Sequence, residues 1–145
     1  MGYLLDVNVH IARIDPRHEA HAVVTAWFQE IGSEPLLFCP LVENGFIRIY
    51  GHPSYPEGPG SPEKAALDLR AMLKLPNAQF VPDDLSVRDT SVFASLAGLT
   101  PRQLTDVYLL GLAISRGARF ATLDGRIPVT AVRSGRDALA VIPAE

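Results

Sequence analysis

Four carboxylates in this chain stand where a charge breaks an apolar pattern. Asp6 ends the run Tyr3-Leu4-Leu5. Glu43 follows the apolar stretch 35–40, Asp106 leads into the apolar run 107–114, and Asp124 closes the stretch 118–123. Most of the sixteen acids fall instead on polar helix faces or in loops, where a solvated charge is ordinary. Each of the four alone reads first as a helix cap or a dipole partner. Together they mean more. Carboxylates gathered in one place repel and raise one another's pKa values, and a hard divalent cation relieves that repulsion. Carboxylate and water oxygens suit Mg2+ or Mn2+, and no His or Cys cluster points to a softer metal. Such an ion binds a phosphate and lowers the pKa of an attacking water, which is what phosphodiester hydrolysis requires. It also inverts the local charge, so that an acidic protein can hold a polyanion.

Smaller residues fit the same chemistry. Asn8, two positions after Asp6, can orient that carboxylate or a water on the metal. Thr122, two before Asp124, shares its strand face. Neighbouring hydroxyls and amides are what a carboxylate metal site needs. Asp83 and Asp84 also follow a strand pattern, but they precede Ser86 and read as loop and cap residues.

These acids converge only if the elements bring them together. Tyr3–Leu5 reads as a buried strand and Val7–Ile14 as a short helix. Asp15-Pro16 is a helix-start signal, and Ala20, Val23, Val24, Trp27, Phe28 and Ile31 form one apolar helical stripe. Gly32 ends it. A second strand is expected within 35–40, then a helix over 41–50 stopped by Gly51-His52-Pro53, then a Pro/Gly loop to Ser61. A capped amphipathic helix follows over 61–75, and a third strand over 78–82. Ser86 and Asp89 resemble a capping box for a helix ending near Gly98. Thr100-Pro101 starts a helix whose part 107–114 is apolar on every side and should be buried. Strands four and five are expected within 118–123 and 138–143. Strands alternating with helices predict a single α/β domain over residues 1–145, with a central, mostly parallel five-stranded sheet flanked by helices on both faces. In that architecture the strands' carboxyl ends and the following helices' amino ends share one edge, the edge that binds ligands.

Composition narrows the function. With 48% hydrophobic and 20% charged residues, the chain can build a real core. A net charge of -3 excludes holding nucleic acid by bulk charge. The single cysteine, Cys39, excludes an internal disulfide framework and a Cys-based zinc site. With no leader-like segment before the first strand and no apolar run of membrane-spanning length, a cytoplasmic location is expected.

Four stretches, "YLLDVNV", "CPLVENGFIRI", "QLTDVYLLGLA" and "ARFATLD", resemble in order the acidic motifs of the PIN domain. More narrowly, they resemble the VapC ribonuclease toxins of bacterial toxin–antitoxin pairs, over nearly the whole chain. The resemblance implies a PIN-like sheet and an Mg2+- or Mn2+-dependent endoribonuclease acting on structured RNA, either tRNA or a ribosomal RNA loop. It also implies a homodimer and a VapB-like antitoxin, whose C-terminal segment covers the site and whose N-terminal part binds DNA. Asp6, Glu43, Asp106 and Asp124 match the metal-site acids, and Asn8 and Thr122 the supporting polar positions. Some members carry a further acid or amide two residues beyond the last aspartate. Here that residue is Arg126, which leaves the choice between one and two metals open. Arg126, Arg48 and His10 are candidates for RNA contacts. The loop 51–61 is expected beside the site, where its Tyr55 can stack on a base.

Three other readings compete. A haloacid-dehalogenase-type phosphatase also places an aspartate after its first strand, but it needs a second one two residues on, where this chain has Asn8. A receiver domain needs paired acids there and a lysine after the last strand, and neither Lys64 nor Lys74 is so placed. A degenerate PIN fold kept for binding a partner is the remaining alternative, and the complete set of four acids argues against it.

Overall fold

The computed structural model describes residues 1–143. Positions 144 and 145, included above in the single domain, lie outside the described residues. The strands are β1 (Tyr3–Leu5), β2 (Leu36–Phe38), β3 (Ala78–Phe80), β4 (Arg119–Thr122) and β5 (Leu139–Val141). The helices are α1 (Val7–Ile14), α2 (His21–Ile31), α3 (Pro40–Tyr50), α4 (Pro62–Leu73), α5 (Pro101–Ser115) and α6 (Gly135–Ala138), with a 3-10 turn at Val129–Ala131. The sheet order is β3-β2-β1-β4-β5, and every pairing is parallel.

The strands are short because each needs only to cross the core, and their side chains alternate between two apolar layers. Leu4, Leu37 and Phe120 turn to the face covered by α5, where Val107, Leu110 and Leu112 meet them. Leu5, Leu36, Phe38 and Ala121 turn to the other face, against Val9 of α1, Val24 of α2, Phe46 of α3 and Leu69 of α4. Helices therefore cover both faces, and β1 lies at the centre of the sheet.

Helix starts follow local chemistry. Ser61 Oγ accepts the Lys64 N–H at 3.2 Å ahead of Pro62, and Gln103 Oε1 accepts the Thr100 N–H at 2.9 Å ahead of Pro101. Two expectations need correction. α2 begins at His21 rather than at Asp15-Pro16, because Asp15 Oδ1 accepts the Arg17 N–H at 2.9 Å and His18 Nδ1 accepts the Ala20 N–H at 3.0 Å. Those bonds make turns. The helix expected from Ser86 to Gly98 does not form either. Ser86 and Asp89 bond backbone N–H groups only two residues on, at Arg88 and Ser91, which again closes turns. Phe93 bridges to Val132 and is buried against α5. The 3-10 turn and α6 were not anticipated. Among the described residues no helix is long and apolar enough to cross a membrane.

Candidate active site

Asp6 is fixed from three sides. Its N–H donates to the Ala121 carbonyl at 2.9 Å, which ties it to the end of β4. Its Oδ1 accepts the Val7 N–H at 2.8 Å and so caps α1, and its Oδ2 accepts the Thr122 hydroxyl at 2.8 Å. Thr122 is wholly buried. Its Oγ1 also accepts the Asp124 N–H at 3.1 Å, so one hydroxyl links the two acids that follow the central strands. Asp124 Oδ1 in turn accepts the Arg126 N–H at 2.9 Å and its Nε–H at 3.1 Å. Asp106 arrives from the second turn of α5. Asp6, Asp106 and Asp124 line one cavity of about 520 Å3.

The three carboxylates feel one another. Burial, followed by the charges of Asp6 and Asp124, pushes the Asp106 carboxyl up to about 6. Burial raises Asp6 as well, against its bonds from Thr122 and Val7, and the Asp124 charge adds to the rise. The bond from the Arg126 side chain holds Asp124 below the usual carboxylate range. Asn8 lines the same cavity, and its Oδ1 is buried with no hydrogen-bond partner among the described residues. An all-oxygen set with mutual repulsion and one unpaired amide oxygen fits a hard cation. Among the described residues no three His, Cys, Asp or Glu side chains close into a ready cage.

Glu43 sits half-buried in the first turn of α3, on the same edge, but outside the lining of this cavity. Burial and then the charge of Asp83 raise its carboxyl. Asp83 Oδ2 accepts the Leu41 N–H at 2.8 Å, so it caps α3 from the end of β3, while Asp84 pairs with Arg116. The rim therefore carries two acidic groups, the three aspartates and the pair Glu43–Asp83. Arg48 is exposed on α3, outside the cavity lining. Arg126 is exposed beside Asp124. His10 is corrected. It is 1% exposed, stacked on Phe38 at 4.9 Å between ring centres, and cannot reach RNA.

Sequence reasoning missed Arg102. It lines the first cavity and also a second of about 330 Å3, shared with Asp106, Asp124 and Arg126. The signal was present: Arg102 precedes Asp106 by four residues, which puts both on one helix face. His18, Ile49 and Tyr55 also line the first cavity, so the loop 51–61 does stand beside it. Nothing in the sequence pointed to His18 or Ile49.

Comparison with known proteins agrees with this architecture. The model of the family described as "PIN domain" matches residues 3–132. Among curated proteins of Mycobacterium tuberculosis, the chain is 33% identical to Ribonuclease VapC44 over 135 residues, 91% of this chain and 92% of that protein. It is 35% identical to Ribonuclease VapC39 over 127 residues, 88% and 91% of the two chains. It is 34% identical to Ribonuclease VapC38 over 124 residues, 86% of each. An all-parallel sheet with its acids on the carboxyl edge, matched over these spans, makes this chain a member of the PIN-domain family, among the relatives of the VapC ribonucleases.

Proposed function

We propose that this chain is the metal-dependent endoribonuclease toxin of a toxin–antitoxin pair, hydrolysing phosphodiesters of structured RNA, tRNA or ribosomal RNA. The observation that carries the reading is the meeting of Asp6, Asp106 and Asp124 in one cavity, with Asp106 pushed up to about 6 by burial and by the other two. The relatives' names support ribonuclease activity. A bound Mg2+ or Mn2+ supplies charge neutralisation at the phosphate and a more acidic attacking water. The chain supplies position. Thr122 and the Val7 N–H hold the Asp6 carboxylate still, Arg126 holds Asp124, and Arg102 offers a positive charge to the polyanion at the cavity mouth. Asn8 lines the same cavity and has an unpaired oxygen. Hydrolysis in line with the leaving oxygen needs no covalent protein intermediate. Glu43 is assigned as the fourth acid on its place at the same edge. Arg48 and Arg126 are assigned to RNA phosphates. A homodimer, a VapB-like antitoxin over the acidic rim and a cytoplasmic location complete the proposal.

The Arg126–Asp124 pair favours a second reading, a PIN-fold binding module without activity, because it occupies an oxygen that an ion would use. One experiment separates the two. Purified protein is incubated with total tRNA and with ribosomes in Mg2+, Mn2+ or EDTA, beside Asp6→Asn and Asp106→Asn. We expect metal-dependent cuts at a few sites, slowed about 100-fold or more in both variants. Asp6→Asn cutting like wild type would remove the site assignment. No cutting together with no metal binding would overturn the nuclease reading and favour the binding module.

A further inference from the structure

We propose that the apolar part of the first cavity is a nucleobase subsite, which seats an unpaired nucleotide next to the scissile phosphate. This rests on the ribonuclease reading and adds to it a place for the base. The cavity has two kinds of lining. One is the three aspartates and Asn8. The other is Ile11 and His18, from α1 and the turn after it, with Ile49 and Tyr55, from α3 and the loop after it. Ile49, in the last turn of α3, is 40% exposed beside this acidic rim. A concave site that joins an apolar wall to a few convergent polar groups is how small ligands are held, and about 520 Å3 is roomy enough for a nucleotide.

The Tyr55 ring is held in place. Its hydroxyl donates to Asp15 Oδ2 at 2.6 Å. Tyr50 meets it edge to face at 5.0 Å between ring centres. Gly58 lies so near that a Cβ there would be 2.9 Å from Tyr55 Cδ1. A ring fixed before binding loses little entropy when a base stacks on it. His18 adds a polar edge. Because its Nδ1 accepts the Ala20 N–H, the neutral ring carries its proton on Nε2 and offers a donor there. Stacking tolerates any base but requires that base to be out of a helix. The expected substrate therefore has an unpaired nucleotide at the cut.

The test uses the full chain in Mg2+, titrated with the four nucleoside 5′-monophosphates and with ribose 5-phosphate, and followed by NMR. Nucleotides should shift the resonances of His18, Ile49 and Tyr55 and bind at least about fivefold tighter than the sugar phosphate. Ile49→Ala and Tyr55→Ala should weaken nucleotides about tenfold while ribose 5-phosphate binds as before. Tyr55→Phe keeps the ring and loses the tether to Asp15, so it should retain base-dependent binding. The proposal falls if nucleotides and ribose 5-phosphate bind alike, if neither binds, or if the Ala variants match wild type. RNA cleavage is read separately. Base-dependent binding without any cleavage keeps the subsite and removes the ribonuclease reading, and cleavage without base-dependent binding does the reverse.

Discussion

At position 10 an imidazole lies in a cage of phenyl rings, stacked on Phe38 and edge-on to Phe46. Neither ring nitrogen has a partner among the described residues. Burial, with a smaller push from the Arg13 charge, drives its pKa down to about 3, so the ring is neutral in the fold. The unfolded chain, with an ordinary His near 6.5, binds more protons between about 3 and 6.5. This residue's contribution to stability is therefore complete above about 6.5 and fades as the pH falls toward 3. We expect His10→Leu to stabilise the protein by about 1–3 kcal/mol at pH 7.5, since it removes two unsatisfied polar atoms. The gain should be larger at pH 5, as read by urea denaturation at both values. A loss of stability at pH 7.5 would mean that the ring is hydrogen-bonded after all. The burial was legible in the spacing, because Val7, His10, Ile11 and Ile14 fall on one helical stripe. The residue type, a polar ring four positions after an acid, points the other way. Asp6, Asp106 and Asp124 were legible because each interrupts an apolar run. Glu43 lies on the same edge but outside the cavity, and its approach to Asp83 depends on how β3 meets α3, which no local pattern encodes.

The segment between β3 and α5 shows why some elements could be read and others could not. Apolar runs bounded by turn residues marked all five strands, and the cap before Pro101 marked α5. Ser86 and Asp89 offered the same kind of signal and meant something else, since a side-chain oxygen that caps a helix also closes a turn. The tertiary partner decides. Gly111 leaves α5 bare where Phe93 presses in, and a Cβ there would lie 2.6 Å from two ring atoms. Alanine at 111 would gain about 1 kcal/mol in helix propensity, but the buried ring has little room to retreat. We expect Gly111→Ala to destabilise the protein by a net of about 1–3 kcal/mol, seen as a lower thermal midpoint. An unchanged or raised midpoint would show that the segment 81–100 can slide off α5 at no cost.

Over the whole molecule, a chain of net charge -3 concentrates like charges at one edge of its sheet. That edge followed from the sequence once the strands were taken as parallel, whereas the strand order did not, because apolar strands carry no label for their neighbours. Asp106, at about 6 in the fold against 3.8 ordinarily, binds more protons folded than unfolded between those values. Its contribution therefore lowers the stability of the ion-free protein as the pH rises through that window, and the deficit is complete above about 6. A cation at the aspartates should reverse this. With Mn2+ at about 100 times its Kd, we expect about 2.7 kcal/mol of added stability, a rise of several degrees in Tm by calorimetry. The rise should be greater at pH 7.5 than at pH 5, where a proton competes, and mostly lost in Asp106→Asn. No rise at either pH would leave the aspartates without an ion and favour the binding module. The bond from Thr122 to Asp6 spans 116 residues of sequence, and it has a further consequence. A ribosome delivers Asp6 and Glu43 long before β4, and Asp106 shortly before it. Until that strand slots in beside β1, Asp6 lacks its hydroxyl and Asp124 has no fixed place. The acidic constellation is thus a property of the finished fold: a chain cut short before β4 holds three of its acids in sequence and none of the bonds that join Asp6 to Asp124 through Thr122.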